Sequence, residues 1–154
     1  MNRRGMLWAA VSSLGGALLT RRADAATSVA ATSDGVTGKL KVVYHLNDLD
    51  RVNFVLGNIE NHFAGVGGPE NVTLALVVHG PALRAFHRAS ASPDVVKRVG
   101  AAARAGLGLA ACGNTMAAQN VGLADLLPGF VSADKGGVVR LAELQSQGYL
   151  YLKP

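Results

Sequence analysis

Val72-Thr73-Leu74-Ala75-Leu76-Val77-Val78 is a seven-residue run with one polar member, and it limits the fold more than any other stretch. A strand with one face in water alternates apolar and polar residues, whereas a nearly continuous apolar run belongs to a strand covered on both faces. Strands of that kind sit in parallel sheets between helices. The rest of the chain agrees. Lys39-Leu40-Lys41-Val42-Val43-Tyr44 is a β-branched run that opens the domain. Leu107 to Cys112 is a small, apolar third strand, Phe130-Val131-Ser132 a short fourth, and Tyr149 to Leu152 a last one at a sheet edge.

Helical patterns fill the intervals. Asp48 is placed to cap a helix over Leu49 to Ala64, in which Val52, Val55, Leu56, Ile59 and Phe63 share one apolar face. Ala82 to Arg88 reads as a short helix after the break at His79-Gly80-Pro81. Ser92-Pro93-Asp94 supplies an N-cap, a first-turn proline and a carboxylate at the positive helix end, for a helix to about Ala105. Asn114 or Thr115 opens another to about Gln119, Leu123 to Leu127 forms a short turn, and Gly137 to Gln147 is the last helix. Strand and helix alternate throughout. The expected fold is a single flavodoxin-like, doubly wound α/β domain with a mostly parallel five-stranded sheet and helices on both faces.

The N-terminal segment stands apart. Arg3 and Arg4 precede an apolar run from Met6 to Leu19, and Ala23-Asp24-Ala25 offers a small-x-small cleavage site before Ala26. Residues 1–25 read as an export signal, 26–38 as a flexible leader and 39–154 as the domain. The paired arginines resemble a twin-arginine signal, although Asn2, Met6 and Trp8 depart from its usual pattern, and the general secretory route is the alternative. The apolar run is shorter than the ~20 residues a membrane-spanning helix needs, so no stable span is expected after cleavage. The expected location is the periplasm. Four of the fifteen basic residues and one of the ten acidic ones fall in this segment, which leaves a net charge of only +2 beyond it. With no basic stripe interleaved with aromatics, nucleic acid is not an expected partner.

Open α/β sheets bind ligands outside the carboxyl ends of their strands, so the residues just past each strand are the candidates. They are His45, Asn47 and Asp48 after the first, and His79 and Gly80 after the second. Cys112, Gly113, Asn114 and Thr115 come after the third, and Ser132, Asp134, Lys135 and Gly136 after the fourth. Cys112 is the only cysteine, so it forms no internal disulfide. A thiol at a strand end facing a helix N-terminus meets unpaired N–H groups, which lower cysteine pKa from ~8.5 to as little as ~3.5–7.5. Gly113 is expected to leave the sulfur uncovered, and His79 and His45 to tune its protonation. Against this stands the habit of free cysteine to pack as a small buried hydrophobe. A metal site of Cys112, His79 and His45 is a minor alternative, with no close-spaced ligand pair to support it. His62 and His87 are expected on solvated outer helix surfaces. Gly65, Gly67 and Gly68 precede a strand, where a phosphate loop would come after one, and no Gly-x-Ser-x-Gly elbow is present. No cofactor is expected.

The segment Cys112-Gly113-Asn114-Thr115-Met116 resembles the DsrE/DsrF-like family of small α/β proteins associated with sulfur relay. The likeness extends through Val42-Val43-Tyr44-His45, Val77-Val78-His79-Gly80, Leu126-Leu127-Pro128-Gly129 and the stretch from Gln147 to Pro154. The resemblance implies a flavodoxin-like fold, homo-oligomers such as trimers or hexamers, and a cysteine that carries sulfur as a persulfide. It also implies a sulfur donor or acceptor, either a protein or a small sulfur compound. Only the role of Cys112 carries over, while Asn114 and Thr115 match the motif. Two departures matter. Related segments often continue with Arg and Gly, where this chain has Ala117, Ala118, Gln119 and Asn120, and the best-understood relay members are cytoplasmic, whereas this chain reads as exported. The rival expectation is a non-enzymatic oligomeric ligand-binding or assembly module in which Cys112 is inert core.

Overall fold

The computed structural model describes residues 38–154. The proposed export signal and all but the last residue of the leader lie outside the described residues. Five strands, all parallel, form one sheet: β1 (Leu40–Leu46), β2 (Val72–Val78), β3 (Gly108–Cys112), β4 (Phe130–Ala133) and β5 (Leu150–Leu152). Their spatial order is β4-β3-β2-β1-β5, which confirms the α/β class and places the last strand at an edge. Four helices connect them: α1 (Val52–Gly65), α2 (Pro93–Arg104), α3 (Gly113–Ala118) and α4 (Gly137–Ser146).

Handedness explains the layering. The first three crossovers step the same way across the sheet, so right-handed connections put α1, α2 and α3 on one face. The return from β4 to β5 runs the other way and puts α4 on the opposite face. The apolar clusters obey this division. One joins Val42, Tyr44, Leu74, Leu76 and Leu109 to α1, α2 and Met116 of α3, with Phe86 edge-on to Phe130 at 5.3 Å. The other joins Val43, Val77 and Ala110 to Leu141 and Leu144 of α4. One ten-residue helix does not cover five strands, and Val131 and Val138 remain 56% and 69% exposed.

Local chemistry sets the boundaries. The Asp48 carboxylate accepts from the Asp50 N–H, but it opens a 3-10 turn (Leu49–Arg51) before α1 begins. All five residues of the expected α1 face are buried. Ser92 caps α2 through the Val95 N–H, a cap of the kind that contributes ~1 kcal/mol. The Arg98 guanidinium grips both Glu60 oxygens at 2.8 and 3.0 Å and ties α2 to α1.

Three boundary expectations are corrected. The short helix after β2 is a 3-10 helix over Gly80–Phe86, two residues earlier at each end than the expected Ala82 to Arg88, because Gly80 turns with φ +58° and buried Leu83 and Phe86 stack three residues apart. Helix α3 starts at Gly113 with Cys112 itself as N-cap. Strand β1 runs on to Leu46, since its pairing with β2 continues to Leu46 opposite Val78, so His45 lies within the strand. Among the described residues no helix is long and apolar enough to cross a membrane.

Candidate functional site

Strand register assembles the site. In β1 the side chain at 45 shares a face with Val43, and in β3 that at 112 shares one with Ala110. Both faces look toward α4. Register pairs Val78 with Ala111, so His79 and Cys112 come next at the same level on adjacent strands. On the other side Tyr151 pairs with Val43. Tyr151, His45 and His79 therefore step diagonally toward the carboxyl edge of the α4 face, along β5, β1 and the end of β2, and Cys112 stands beside His79 at the end of β3.

This series is hydrogen-bonded along part of its length. The Tyr151 hydroxyl meets His45 Nδ1 at 2.6 Å, and His45 Nε2 meets His79 Nε2 at 2.5 Å. The two rings stack at 4.7 Å with 25° between their planes. One ring's N–H donates to the other's lone pair, and Tyr151 adapts as donor or acceptor, so both imidazoles are satisfied while neutral. Burial, the facing His79 and the nearby Lys153 ammonium hold His45 down at a pKa of about 4. Burial and Lys153 also lower His79. Both shifts favour the neutral imidazoles, since a positive charge there would face Lys153 in a desolvated site.

Other groups act on Cys112. Burial raises its pKa, but the Thr115 hydroxyl and the backbone N–H groups of Gly137, Thr115 and Asn114 outweigh it, and the net direction is down. These donors come from the first turns of two helices, α3 and α4, so two positive helix ends meet at one sulfur. Thr115 is itself fixed, because its Oγ1 accepts from the Gly80 N–H at 3.0 Å.

Close approach requires glycine here. A Cβ on Gly137 would stand 3.3 Å from both Cys112 Cβ and His79 Cβ, and one on Gly113 would stand 3.1–3.2 Å from the Ala133–Asp134 backbone. The expectation that Gly113 leaves the sulfur uncovered is corrected: its missing side chain admits the β4–α4 loop, and Cys112 is only 6% exposed. Cys112 is buried at the end of β3 outside both apolar clusters, packed against Gly137 of α4.

The remaining candidates divide. Asn47 is half-buried beside His45, with its carbonyl accepting from Ala82 N–H at 3.4 Å. Asn114 is exposed, and its amide lies against Gly136, whose φ of +103° suits glycine. His62 and His87 are half-buried and bonded, contrary to expectation: Tyr44 reaches out from β1 to His62, and His87 donates to Gln119 at 2.8 Å. Gln119 in turn donates to the Gly80 carbonyl at 2.9 Å and steadies the loop carrying His79. Among the described residues no cluster of three or more His, Cys, Asp or Glu could hold a metal ion. Tyr151, Lys153 and Gly137 join the site without a sequence motif to mark them. Their one signal is proximity to the chain end and to a Gly136-Gly137 pair, neither of which specifies a neighbour.

The same architecture occurs in solved structures. The chain is similar to MTH1491, a protein of unknown function from Methanobacterium thermoautotrophicum, with TM-score 0.65 and 26% identity over 75% of this chain and 99% of that one. It is also similar in fold to the ychN protein of E. coli, with TM-score 0.55 and 14% identity over 75% and 99% of the two chains. At the level of fold, the resemblance to DsrE/DsrF-like proteins holds. No protein-family model matches the sequence, and neither does any curated protein.

Proposed function

We propose that this protein is an exported sulfur carrier that holds sulfane sulfur as a persulfide on Cys112. The arrangement that supports the reading is a single thiol at the end of β3, itself the N-cap of α3 and packed against Gly137 of α4, whose pKa is lowered against burial by the Thr115 hydroxyl and the nearby N–H groups. Such a setting favours thiolate over thiol, and the thiolate is the nucleophile. With thiosulfate as donor, the Cys112 thiolate attacks the outer sulfur. A new S–S bond forms, the old one breaks, and sulfite leaves with its electron pair. The persulfide anion that results has the same charge as the thiolate, so the same N–H groups serve it. Neutral His79, at the same level on the next strand, forms no ion pair with the thiolate and leaves its charge to the N–H groups.

One observation favours the rival module, namely that Cys112 is 6% exposed. Intact mass after incubation with thiosulfate or polysulfide separates the two. The native protein is expected to gain one sulfur atom, Cys112→Ser to gain none, and Thr115→Val to need higher pH for alkylation of its thiol. No adduct on the native protein, an adduct that survives Cys112→Ser, or alkylation only after unfolding would establish the inert reading.

The proposal includes a homo-oligomer. Val131 and Val138 on the thinly covered α4 face, and Leu150 and Leu152 on the β5 edge, are exposed apolar side chains that a second copy would cover. Light scattering is expected to give a trimer or hexamer, and a monomer at all concentrations would refute this part.

A further inference from the structure

A cleft of about 800 Å³ opens at the carboxyl edge beside β1, lined by His45, Asn47, Asp50, Arg51, Pro81 and Lys153. Its size falls among pockets that hold small organic ligands, roughly 300–1,000 Å³. It lies outside the carboxyl ends of β1 and β5, the edge at which open α/β sheets bind ligands. Its walls carry both signs of charge. Lys153 and Arg51 are exposed cations that form no ion pair with the other described residues, and the Asp48 and Asp50 carboxylates face the same space. A lone inorganic anion would leave the carboxylates unanswered and most of the volume empty.

Distance narrows the ligand further. Cys112 ends β3, two strands from β1, which at ~4.8 Å per strand is ~10 Å away. A small ion in the cleft would not touch the sulfur. Neither His79 nor Cys112 lines the cleft, so a molecule anchored there reaches the sulfur only by extending beyond it and displacing the Gly137 backbone packed against both.

We propose that the β1–β5 cleft binds a low-molecular-weight thiol of tripeptide size, bearing both carboxylate and ammonium groups, which brings sulfur to Cys112 as its persulfide. The transfer step rests on the sulfur-carrier reading; the binding does not. In that step the Cys112 thiolate attacks the terminal sulfur of R–S–SH. A bond forms between the two sulfurs, the R–S to S bond breaks, and R–S⁻ departs with the electron pair. The proton stays on the transferred sulfur, so no outside oxidant or reductant is consumed.

S-Methylglutathione has the size and charges of such a ligand and no sulfur to give, which makes it the probe. Titrated into the full chain, it is expected to bind saturably and to move the imidazole resonances of His45. Lys153→Glu and Arg51→Glu, both at exposed positions, are each expected to weaken binding about tenfold, the loss of one charge-assisted contact. Absence of saturable binding at millimolar probe, unchanged affinity in both variants, or equal competition by inorganic sulfate would overturn the proposal. If thiosulfate loads Cys112 while the probe fails to bind, the cleft assignment alone is wrong. If the probe binds and no donor loads Cys112, the transfer step falls and the carrier reading falls with it.

Discussion

Between pH 6.5 and about 4, the folded domain is expected to lose about 3 kcal/mol of stability through His45 alone, the depth of its displacement from an ordinary histidine. The direction depends on which state takes the proton. Above pH 6.5 the imidazole is neutral in both states and contributes no pH dependence. As pH falls, the unfolded chain binds the proton first, because its histidine is unperturbed, while the folded site resists until about pH 4. Stability is therefore lost through that window, and His79, lowered in the same direction, adds to the slope. The opposing groups are identified: burial against the α4 face, the facing ring and the Lys153 ammonium. Urea denaturation at pH 7 and 4.5 checks it. His45→Gln, which keeps a polar side chain but does not titrate, is expected to flatten much of the difference. Equal slopes in the two proteins would mean that ordinary carboxylates cause the acid sensitivity.

Gly113→Val is expected to destabilise the fold by about 2 kcal/mol and to raise the pH at which Cys112 is alkylated. The second effect is the diagnostic one. A side chain at 113 pushes on the Ala133–Asp134 backbone, which cannot rotate away as a flexible side chain could. That segment leads directly into α4, so moving it withdraws the Gly137 N–H from the sulfur. Gly113→Ala, with contacts of 3.1–3.2 Å to relieve, should show both changes in smaller measure and fold where the valine variant fails. Loss of stability with an unmoved alkylation profile would show that the β4–α4 loop does not tune the thiol.

Much of the fold is legible in the sequence because it rests on local patterns. The continuous run at Val72–Val78 calls for cover on both faces, and α1 and α4 supply it on either side. The spacing of Val52, Val55, Leu56, Ile59 and Phe63 names the buried face of α1 residue by residue. The carboxyl ends of the predicted strands also bring His45, His79 and Cys112 to one edge. Expectation and structure part where two elements meet. Gly113 suggests an opening because a missing side chain leaves space locally, and that space is taken by backbone from about twenty residues further on. Outer helix positions are usually solvated, yet Tyr44 and Gln119 reach His62 and His87 from other elements.

From the sequence alone came the parallel α/β layering, the edge strand and the isolation of a single thiol at a strand end, since each depends on residues a few positions apart. Tertiary structure decided that Tyr151, His45 and His79 are hydrogen-bonded in series with Cys112 beside them, that burial, aided by Lys153, lowers the imidazole pKa values, and that Gly137 of α4 packs against Cys112. Those facts depend on strand order and register, which are settled by how whole faces pack against one another and by no short stretch of chain.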